Sequence, residues 1–505
     1  MSEGGSLLGT VIAAEESPST SEFSFVVNGA DARKGQYVQV PHGKGMMFGY
    51  ISEIFKSNRY FERAESVAEF EKGKGMSSQF PSSSWEYMVA LVKVLGVFGS
   101  GKFERAFSPP SPGAPVHDAD GKLLRSFLGF DDNGLHMGAI EHHDVPVKVC
   151  MTRLLQKHLA ILAMSGAGKS HLASVLLEEL LGRKKEDGRV AVIIVDIHGE
   201  YGGFAHDPKF GSRTKVVDGK DMAVPLKKVS PESIMEWLPH LSAPQRDVLR
   251  HAMSALREEK KDASGYSFKE LLDAVEQADV SKEEVKRALR RSLSELKRYH
   301  FLSPKTENPR LMADVKPGHL LILDFNDIDS LRKKQILVSM LARRLFRLRK
   351  KGKIPPYLLL IEEAHNFASQ RAESDSVSRS IIETVAREGR KFGASLCLVS
   401  QRPVNLSTTA LSQCNTHIIL RVTNPNDLDH IQMSSEGIDS RTAKSITGLK
   451  VGEAIVVGAA VNYPVFVKVR ERKSEKREKG APLHKQAIEF EEKREKKEKN
   501  VEAFL

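Results

Sequence analysis

The sequence predicts an α/β protein in which a small β-barrel precedes a parallel sheet, and the sheet domain is interrupted by a helical insertion. Three observations lead to this prediction. Short β patterns separated by Gly, Asn and Pro turns fill the chain from about Gly9 to Phe98. From His158 onward, apolar strand patterns are followed by helical ones, which is typical of parallel sheets with crossover connections. Between about Pro231 and Pro309 the strand patterns stop and helical periodicity replaces them.

The composition indicates a soluble globular protein with two or three domains. The chain has 505 residues, of which 40% are hydrophobic and 28% are charged. No apolar run approaches the roughly 18–20 residues that cross a bilayer, so we expect no stable membrane insertion. The three cysteines lack the spacing of metal ligands, so we expect a reducing cytoplasm and no structural disulfide. The net charge of +11 favours a polyanionic partner.

Residues 1–145 are predicted to be a β-barrel domain with its exit linker. Strands this short, at this spacing, indicate a small barrel. The Pro-rich segment from Ser108 to Pro115 is stiff and extended, and we interpret it as the exit from the barrel. The predicted barrel strands are Phe23–Val27, Tyr37–Val40, Tyr50–Ile54 and Met88–Val94.

Residues 146–230 and 311–470 are predicted to be the two parts of the sheet domain, with near-continuous apolar strands that are covered on both faces. Residues 231–310 are predicted to be the helical insertion. Residues 471–505 mix Lys, Arg and Glu densely, and form either a solvated helix or tail, or an arm that spans subunits. The predicted core strands are Leu159–Ala163, Val190–Val195, Leu320–Leu323, Tyr357–Ile361, Ser395–Ser400, Thr416–Arg421 and Glu453–Val457. The predicted helices of the insertion are Pro244–Glu258, Ser267–Gln277 and Ser281–Tyr299.

A phosphate-binding loop is predicted where the first core strand meets the following helix. The apolar run leads into a turn of small residues that ends in Lys169 and Ser170. Backbone N–H groups and the helix N-terminus would cradle polyphosphate, Lys169 would reach the β- and γ-phosphates, and the Ser170 hydroxyl would bind Mg²⁺. Ala163 stands where the loop pattern has its first Gly. The predicted nucleotide-binding residues of the loop are Ser165, Gly166, Ala167, Gly168, Lys169 and Ser170.

Two adjacent carboxylates, Glu362 and Glu363, follow the apolar strand Tyr357–Ile361. An apolar strand that ends in acids is how an enzyme with a phosphate-binding loop presents carboxylates beside the phosphates. Glu362 would hold Mg²⁺ or its water ligands, and Glu363 would accept a proton from the attacking water. The alternative interpretation is a solvated strand end without a chemical role.

Gln401 follows the next apolar strand, Ser395–Ser400. In a parallel sheet this strand end lies at the carboxyl edge, where ligands bind. Gln401 would therefore donate a hydrogen bond to the γ-phosphate and sense its hydrolysis. The alternative is an amide that caps the strand through local hydrogen bonds.

A compact basic run, Ala386–Gly393, precedes that same strand. Its residues Arg387 and Arg390 either belong to a solvated helix end or, in a ring-shaped ATPase, point at the γ-phosphate bound by the neighbouring subunit. An arginine in that position stabilises the charge that develops during hydrolysis, and is worth about 10³–10⁵ in rate.

Asp196 ends the second core strand and is followed by the loop that contains Glu200 and Tyr201. The carboxyl ends of parallel strands meet at one edge of the sheet, so Asp196 is expected at the edge that carries the phosphate-binding loop. The residue is then either a polar group near Mg²⁺ and the nucleotide or a structural cap. The sequence leaves both interpretations open.

Taken together, these motifs resemble the HerA family of archaeal and bacterial DNA translocases, within the HerA/FtsK group of P-loop ATPases. The resemblance covers about residues 7–470, because the N-terminal β region and the Pro-rich exit also match the small barrel of this family. It implies a RecA-like ATPase core that assembles as a hexameric ring around double-stranded DNA. The motifs that carry the resemblance are Met164–Ser170, Asp196–Tyr201, Ile361–Phe367, Arg387–Gly393 and Ser400–Pro403.

The resemblance also implies roles and partners. Glu363 would be the catalytic base and Gln401 the sensor, with ATP and Mg²⁺ as the cofactors. Arg387 or Arg390 would be the finger that acts in trans, with a slight preference for Arg387. The barrel would form the ring face that docks a NurA-type nuclease, with which the motor resects DNA ends for recombinational repair of double-strand breaks.

The sequence therefore predicts an ATP-driven DNA translocase and helicase whose tracking is independent of sequence and sensitive to salt. One alternative is a related motor that moves DNA or protein at a membrane, against which the missing membrane segment and the barrel argue. Another is a nucleotide-gated scaffold that recruits a nuclease, against which the acid pair argues, because a switch needs no catalytic base. Lys209, Arg213 and Arg371 are candidates for pore loops, although we favour ordinary polar loops for them.

Overall fold

The computed structural model describes residues 5–13, 17–29, 32–58, 86–99, 101–261, 265–279, 282–370, 376–435, 437–475 and 483–502. The chain forms two compact units. The first contains Met1–Leu176 and Ser400–Glu471, and the second contains Leu177–Val399 and Arg472–Leu505. No helix in the described ranges is long and apolar enough to cross a membrane. The five segments predicted from the sequence stay a prediction about domains.

The strands of the described residues are numbered in chain order. They are β1 (Leu7–Ile12), β2 (Glu22–Val27), β3 (Tyr37–His42), β4 (Gly45–Asn58), β5 (Glu86–Gly99), β6 (Lys102–Glu104), β7 (Pro115–Asp118), β8 (Leu135–Ile140), β9 (Pro146–Val149), β10 (Leu159–Leu162), β11 (Ala191–Asp196), β12 (Thr214–Asp218), β13 (Val224–Pro225), β14 (Leu302–Ser303), β15 (Leu320–Asp324), β16 (Tyr357–Ile361), β17 (Ala394–Ser400), β18 (Thr416–Ile419), β19 (Glu453–Gly458) and β20 (Val465–Val469).

The α-helices of the same residues are numbered in the same way. They are α1 (Gly121–Leu128), α2 (Met151–Leu155), α3 (Lys169–Gly182), α4 (Pro231–Trp237), α5 (Ala243–Glu259), α6 (Phe268–Gln277), α7 (Glu283–Lys297), α8 (Leu311–Asp314), α9 (Leu331–Lys350), α10 (Arg379–Glu388), α11 (Thr408–Ser412), α12 (Pro425–Ser434), α13 (Ser440–Thr447) and α14 (Leu483–Glu502).

The N-terminal strands of the first unit close into the predicted barrel. β2, β1, β7, β3, β4 and β5 are hydrogen-bonded in that order, and β5 pairs back with β2. Closure removes the open sheet edges that would otherwise be exposed. Phe23, Phe25 and Ile51 are fully buried in the core of the barrel. The Pro-rich segment is followed by β7, which returns between β1 and β3, so the chain leaves the barrel after β7 rather than at Pro115.

A further group of hydrogen-bonded strands in the first unit includes the strand that leads into the phosphate-binding loop. β10 is parallel to β18, and the antiparallel strands β19, β20, β8 and β9 extend the sheet from β18. All four residues of β10 are buried. The barrel packs on this part of the unit, since the Tyr37 hydroxyl donates to Pro464 O (2.9 Å) and the Tyr50 ring lies edge-on to that of Phe466 at 6.3 Å. The loop after β10 thus starts from a well-buried strand.

The second unit contains the parallel sheet β12-β15-β11-β16-β17. The pairing register places Asp218, Asp324 and Asp196 side by side at the carboxyl ends of three neighbouring strands. Ile361 pairs with Val195, and the residue that follows each of them is an acid. Glu362 follows Ile361, and Asp196 follows Val195. Strands β11, β16 and β17 are buried along their whole length, as the near-continuous apolar patterns predicted. The topology therefore collects carboxylates at one sheet edge.

The predicted helical insertion consists of α4 to α7 in the second unit. Ser242 and Ser267 form capping boxes at the starts of α5 and α6, which satisfy backbone N–H groups at the two helix ends. Helix α9, which carries a basic outer face, is fastened to this region by ion pairs of Arg343 with Glu236 and of Arg344 with Glu307. The basic face of α9 therefore serves packing within the unit.

Candidate active site

The phosphate-binding loop follows β10 in the first unit. Ala163 is fully buried, and its N–H donates to Ser400 O (3.2 Å). The backbone has positive φ at Gly166 (77°) and at Gly168 (103°), a conformation that glycine adopts without strain. Ala163 does not have positive φ. Alanine therefore fits the position where the loop pattern has its first glycine.

Helix α3 begins directly after this loop, at Lys169. The Leu172 N–H donates to Gly168 O (3.0 Å), so the first helical turn closes on the loop. Lys169 is half-buried, and its Nζ donates to Met164 O at 3.4 Å. Ser170 is half-buried at the second helical position. Because the first N–H groups of a helix lack intrahelical partners, this arrangement can bind a polyphosphate.

Gln401 lies in the same unit as the phosphate-binding loop, one residue beyond β17. The preceding residue, Ser400, accepts the hydrogen bond from Ala163 N–H, so Gln401 follows directly on the contact with the start of the loop. The Arg402 N–H donates to Ser400 Oγ (3.0 Å), which turns the chain after the strand. Gln401 is thus the residue after the one that contacts the start of the loop. Its role as a sensor stays a prediction.

Asp196 ends β11 in the second unit, and its side chain is fully buried. One carboxylate oxygen accepts the N–H groups of His198 (3.3 Å) and Glu200 (3.0 Å), and the other accepts that of Tyr201 (3.0 Å). Burial raises the pKa of Asp196; the Tyr201 N–H opposes this rise, and the charge of Asp324 adds to it. Both oxygens are engaged by the loop that follows, which is the geometry of a structural cap. Nucleotide binding by Asp196 stays a prediction.

Glu362 is 4% exposed, directly after β16. Its Oε1 accepts a hydrogen bond from the Tyr201 hydroxyl at 2.7 Å. Its Oε2 is buried and has no hydrogen-bond partner among the described residues. Burial raises the pKa of Glu362 well above its usual range, and the charge of Asp196 raises it further. A buried carboxylate oxygen without a partner is a suitable ligand for Mg²⁺, which prefers oxygen donors.

Glu363 is held in the left-handed backbone region, with φ 45° and ψ 46°. Such a conformation is strained for a residue other than glycine, and strain of this kind concentrates at functional sites. The side chain is mostly buried and lies between two imidazoles. His198 Nε2 is 4.0 Å from Glu363 Oε1, and His365 Nδ1 is 3.4 Å from Oε2. The backbone at Glu363 is therefore constrained, and two imidazoles flank its carboxylate.

The two arginines of the basic run lie at and just beyond the end of α10. The Arg387 side chain is 54% exposed, with Nη1 3.9 Å from a Glu383 carboxylate that also accepts from Arg379 Nε (2.8 Å). Arg390 is exposed in the 3₁₀ turn Gly389–Phe392, and no carboxylate of the described residues lies within ion-pair distance of it. Both guanidinium groups are accessible, which a group that acts on another subunit requires.

The basic residues named as pore-loop candidates have local contacts. Lys209 Nζ lies 5.3 Å above the Phe210 ring, and Arg213 Nη1 donates to Leu181 O (2.7 Å) in the last turn of α3. A cation at a helix C-terminus stabilises the free carbonyl groups there. Arg371 lies outside the described residues. These contacts agree with the interpretation of Lys209 and Arg213 as parts of ordinary polar loops.

Sequence reasoning gave no role to Tyr201, His198 or His365, although the structure places all three beside the acid pair. One signal was present in the sequence. A glycine inside a short polar loop marks a tight turn, and Gly199 indeed has positive φ (65°). The turn alone does not name the partner of Tyr201, because Glu362 is 161 residues away in the chain.

Comparisons with known proteins find one family model and several similar chains. Residues 135–345 match the model for the central domain of helicase HerA. The probable helicase MJ1565 of Methanocaldococcus jannaschii is 30% identical over 476 residues, which cover 89% of this chain and 88% of that protein. The DNA double-strand break repair helicase HerA of Pyrococcus furiosus is 27% identical over 523 residues, which cover 91% of each chain.

Solved structures with the same fold are also found. VirB4 of Thermoanaerobacter pseudethanolicus superposes with a TM-score of 0.54 and 16% identity, over 68% of this chain and 98% of its own. The plasmid coupling protein TrwB, in complex with a non-hydrolysable ATP analogue, superposes with a TM-score of 0.50 and 14% identity, over 72% of this chain and 95% of its own. The predicted fold class, a P-loop ATPase core with a small N-terminal barrel, is confirmed.

Proposed function

Because the chain belongs to the HerA helicase family, we propose that it is an ATP-driven DNA translocase and helicase that acts in the repair of double-strand breaks. The observation that carries the proposal is the buried acid pair Glu362 and Glu363 at the end of β16. A protein that only binds nucleotide needs no such pair, whereas hydrolysis needs a base. Relatives named as DNA double-strand break repair helicases support the choice of substrate and process.

In this proposal the loop after β10 binds the phosphates of ATP. Its N–H groups and the N-terminus of α3 face the β-phosphate, and the Lys169 ammonium neutralises charge on the β- and γ-phosphates. The half-buried position of Lys169 and the positive φ of Gly166 and Gly168 support this assignment. The residues assigned to the nucleotide are Ser165, Gly166, Ala167, Gly168, Lys169, Ser170 and, through the loop that it caps, Asp196.

Ser170 and Glu362 are the residues proposed to hold Mg²⁺. The buried Oε2 of Glu362 has no hydrogen-bond partner among the described residues and fits this role, because a carboxylate that loses its water needs a cation nearby to stay ionised. When bound, the ion neutralises charge on the phosphate oxygens. The Tyr201 hydroxyl keeps the other oxygen of Glu362 in place. The chain thus supplies one hydroxyl and one carboxylate oxygen as ligands.

Glu363 is proposed to act as the catalytic base that takes a proton from the attacking water. A base needs a defined position, and the constrained backbone of Glu363 supports this role, as do the two imidazoles that flank its carboxylate. Gln401 is proposed to donate a hydrogen bond to the γ-phosphate. Its place beside the start of the phosphate-binding loop supports this role. Loss of that bond after hydrolysis would report the state of the nucleotide.

The motor is proposed to work as a homo-hexameric ring in which an arginine of one subunit completes the site of the next. Arg387 and Arg390 both belong to the basic run Ala386–Gly393, and both are exposed. The 3₁₀ turn that carries Arg390 is held by Arg349, whose Nε donates to Phe392 O (2.6 Å). A guanidinium on a firmly held turn can reach across a subunit interface without a large ordering cost.

Double-stranded DNA is the proposed track, bound without sequence preference. Contacts with the phosphate backbone carry no sequence information and weaken steeply with salt. The net charge of +11 supports a polyanionic partner. The N-terminal barrel is the proposed docking face for a NurA-type nuclease, with which the motor would resect DNA ends. The proposed location is the cytoplasm.

The test is ATP hydrolysis by the purified full chain with and without linear duplex DNA, at two salt concentrations. We expect DNA to stimulate turnover at low salt, and the stimulation to fall as salt rises. Covalently closed duplex of the same length separates an effect of DNA ends from an effect of duplex alone. Hydrolysis that never responds to DNA would refute the translocase and favour a nucleotide-gated scaffold.

A further inference from the structure

We propose that Tyr201 is a positioning residue for Glu362, and that the turn Asp196–Tyr201 serves to place its hydroxyl. The inference rests on the proposed role of Glu362 as a ligand of Mg²⁺. It extends that role, because it assigns the orientation of the ligand to a residue from a different strand end. It also gives a physical reason for the spacing of Asp, Gly and Tyr in the motif.

The turn is built around the buried carboxylate of Asp196. Three backbone N–H groups, those of His198, Glu200 and Tyr201, converge on its two oxygens at 3.0–3.3 Å. Gly199 allows the reversal because its φ is 65°, where a side chain would be strained. The backbone of Tyr201 is therefore fixed by the same strand, β11, that pairs with the strand preceding Glu362.

The side chain of Tyr201 then continues to the acid pair. Tyr201 is fully buried, and its hydroxyl donates to Glu362 Oε1 at 2.7 Å. The other oxygen, Oε2, has no hydrogen-bond partner among the described residues and remains available to a cation. One oxygen is thus used for orientation and the other for binding.

A phenol suits this task better than a charged donor. Lysine or arginine in its place would neutralise Glu362 and compete with a divalent cation for the carboxylate. A neutral hydroxyl orients the carboxylate and leaves its negative charge for the metal. Groups of this kind behind a metal ligand typically change metal affinity or activity by about 10–100-fold when they are removed.

The test compares Tyr201→Phe with Tyr357→Phe in the full-length protein. Both substitutions remove one buried phenolic oxygen, and Tyr357 begins the strand that ends next to Glu362. The Tyr357 hydroxyl has no hydrogen-bond partner in the described part of the chain, so its removal controls for the loss of a buried oxygen. Only Tyr201→Phe should change the response to Mg²⁺.

Two readouts are needed, one of them independent of turnover. The first is the affinity for a non-hydrolysable ATP analogue, measured by calorimetry without metal and over a Mg²⁺ titration. We expect Tyr201→Phe to bind the analogue like wild type without metal, and to need about 10–100-fold more Mg²⁺ for the metal-dependent gain. The second is ATP hydrolysis, where the half-saturating Mg²⁺ concentration should rise by the same factor and excess Mg²⁺ should restore part of kcat.

A double-mutant cycle with Glu362→Gln measures the coupling between Tyr201 and Glu362 even if Tyr201→Phe also lowers stability. Since Tyr201 acts through Glu362, Tyr201→Phe should add no further loss of Mg²⁺-dependent affinity in the Glu362→Gln background. Fully additive losses would overturn the inference, as would equal Mg²⁺ responses of Tyr201→Phe and Tyr357→Phe. If wild type shows no Mg²⁺-dependent hydrolysis, the proposed function fails instead.

Discussion

Acidification should destabilise the first unit through His417, which lies on β18 opposite Ala160 of the strand that leads to the phosphate-binding loop. The histidine is 2% exposed. Its Nε2–H donates to Cys414 O (2.7 Å), so Nδ1 is unprotonated and accepts from the Ser435 hydroxyl. The neutral ring is fully hydrogen-bonded, and burial lowers the pKa of His417 to about 4. Protonation is therefore costly in the folded protein.

The magnitude follows from the two pKa values. The ordinary pKa of histidine is 6.5, so the unfolded chain takes up the proton first as the pH falls from 6.5 to about 4. The stabilising contribution is complete above pH 6.5 and is lost progressively through this window. Each pH unit corresponds to about 1.4 kcal/mol, so the free energy of unfolding falls by about 3 kcal/mol. For a unit of this size that corresponds to a decrease in Tm of about 6–12 °C.

The assay is calorimetry of the nucleotide-free protein from pH 7 to pH 4, comparing wild type with His417→Gln. The glutamine amide can donate and accept in place of the two ring nitrogens, but it does not titrate. Wild type should be more stable at pH 7, and its advantage should shrink by about 3 kcal/mol at pH 4. His484→Gln on the exposed helix α14 is the matched control and should follow wild type. Parallel pH curves for wild type and His417→Gln would refute the reasoning.

The remaining predictions concern hydrolysis. Glu363→Gln should keep ATP binding and ring assembly but abolish turnover, because an amide cannot accept the proton; full DNA-stimulated hydrolysis would exclude Glu363 as the base. Arg387→Ala and Arg390→Ala should be assayed alone and mixed with Lys169→Ala subunits. The variant that lacks the trans arginine should, when assayed alone, hydrolyse ATP about 10³–10⁵-fold more slowly than wild type. Mixing it with Lys169→Ala subunits should restore turnover, because an intact site forms where an intact phosphate-binding loop meets an intact arginine. Restoration by neither mixture would count against an arginine acting in trans.

Local sequence patterns were sufficient to predict most of the central strands and the main helices. The strand before the acid pair was predicted with the bounds that the structure shows, Tyr357–Ile361. A short apolar run between turn residues is typical of a buried strand. The helix predicted over Ser267–Gln277 is Phe268–Gln277, and Ser267 is its N-cap rather than its first helical residue. These elements were accessible because their signals lie within a few residues of each other.

The edge strand β12 and the strand β7, which completes the barrel, were not predicted. β12, Thr214–Asp218, was missed because only one of its five residues is buried, so it lacks the apolar run of the central strands. β7 was missed because it follows directly on a Pro-rich segment and has four residues. Its place between β1 and β3 depends on pairing with strands far away in the chain. A local sequence pattern does not identify pairing partners that are distant in the chain.

The sequence by itself determined which residues are candidates for the chemistry. The turn of small residues before Lys169, the acids after β16 and the glutamine after β17 were all identified from residue type and from their positions at strand ends. Tertiary structure alone decided how Asp196 and Glu362 are held. It showed Asp196 enclosed by its own loop, and it brought the Tyr201 hydroxyl to Glu362 across 161 residues. The physical reason is that the residue types at a strand end are visible in a few consecutive residues. A hydrogen bond between neighbouring strand ends depends instead on how the strands pair.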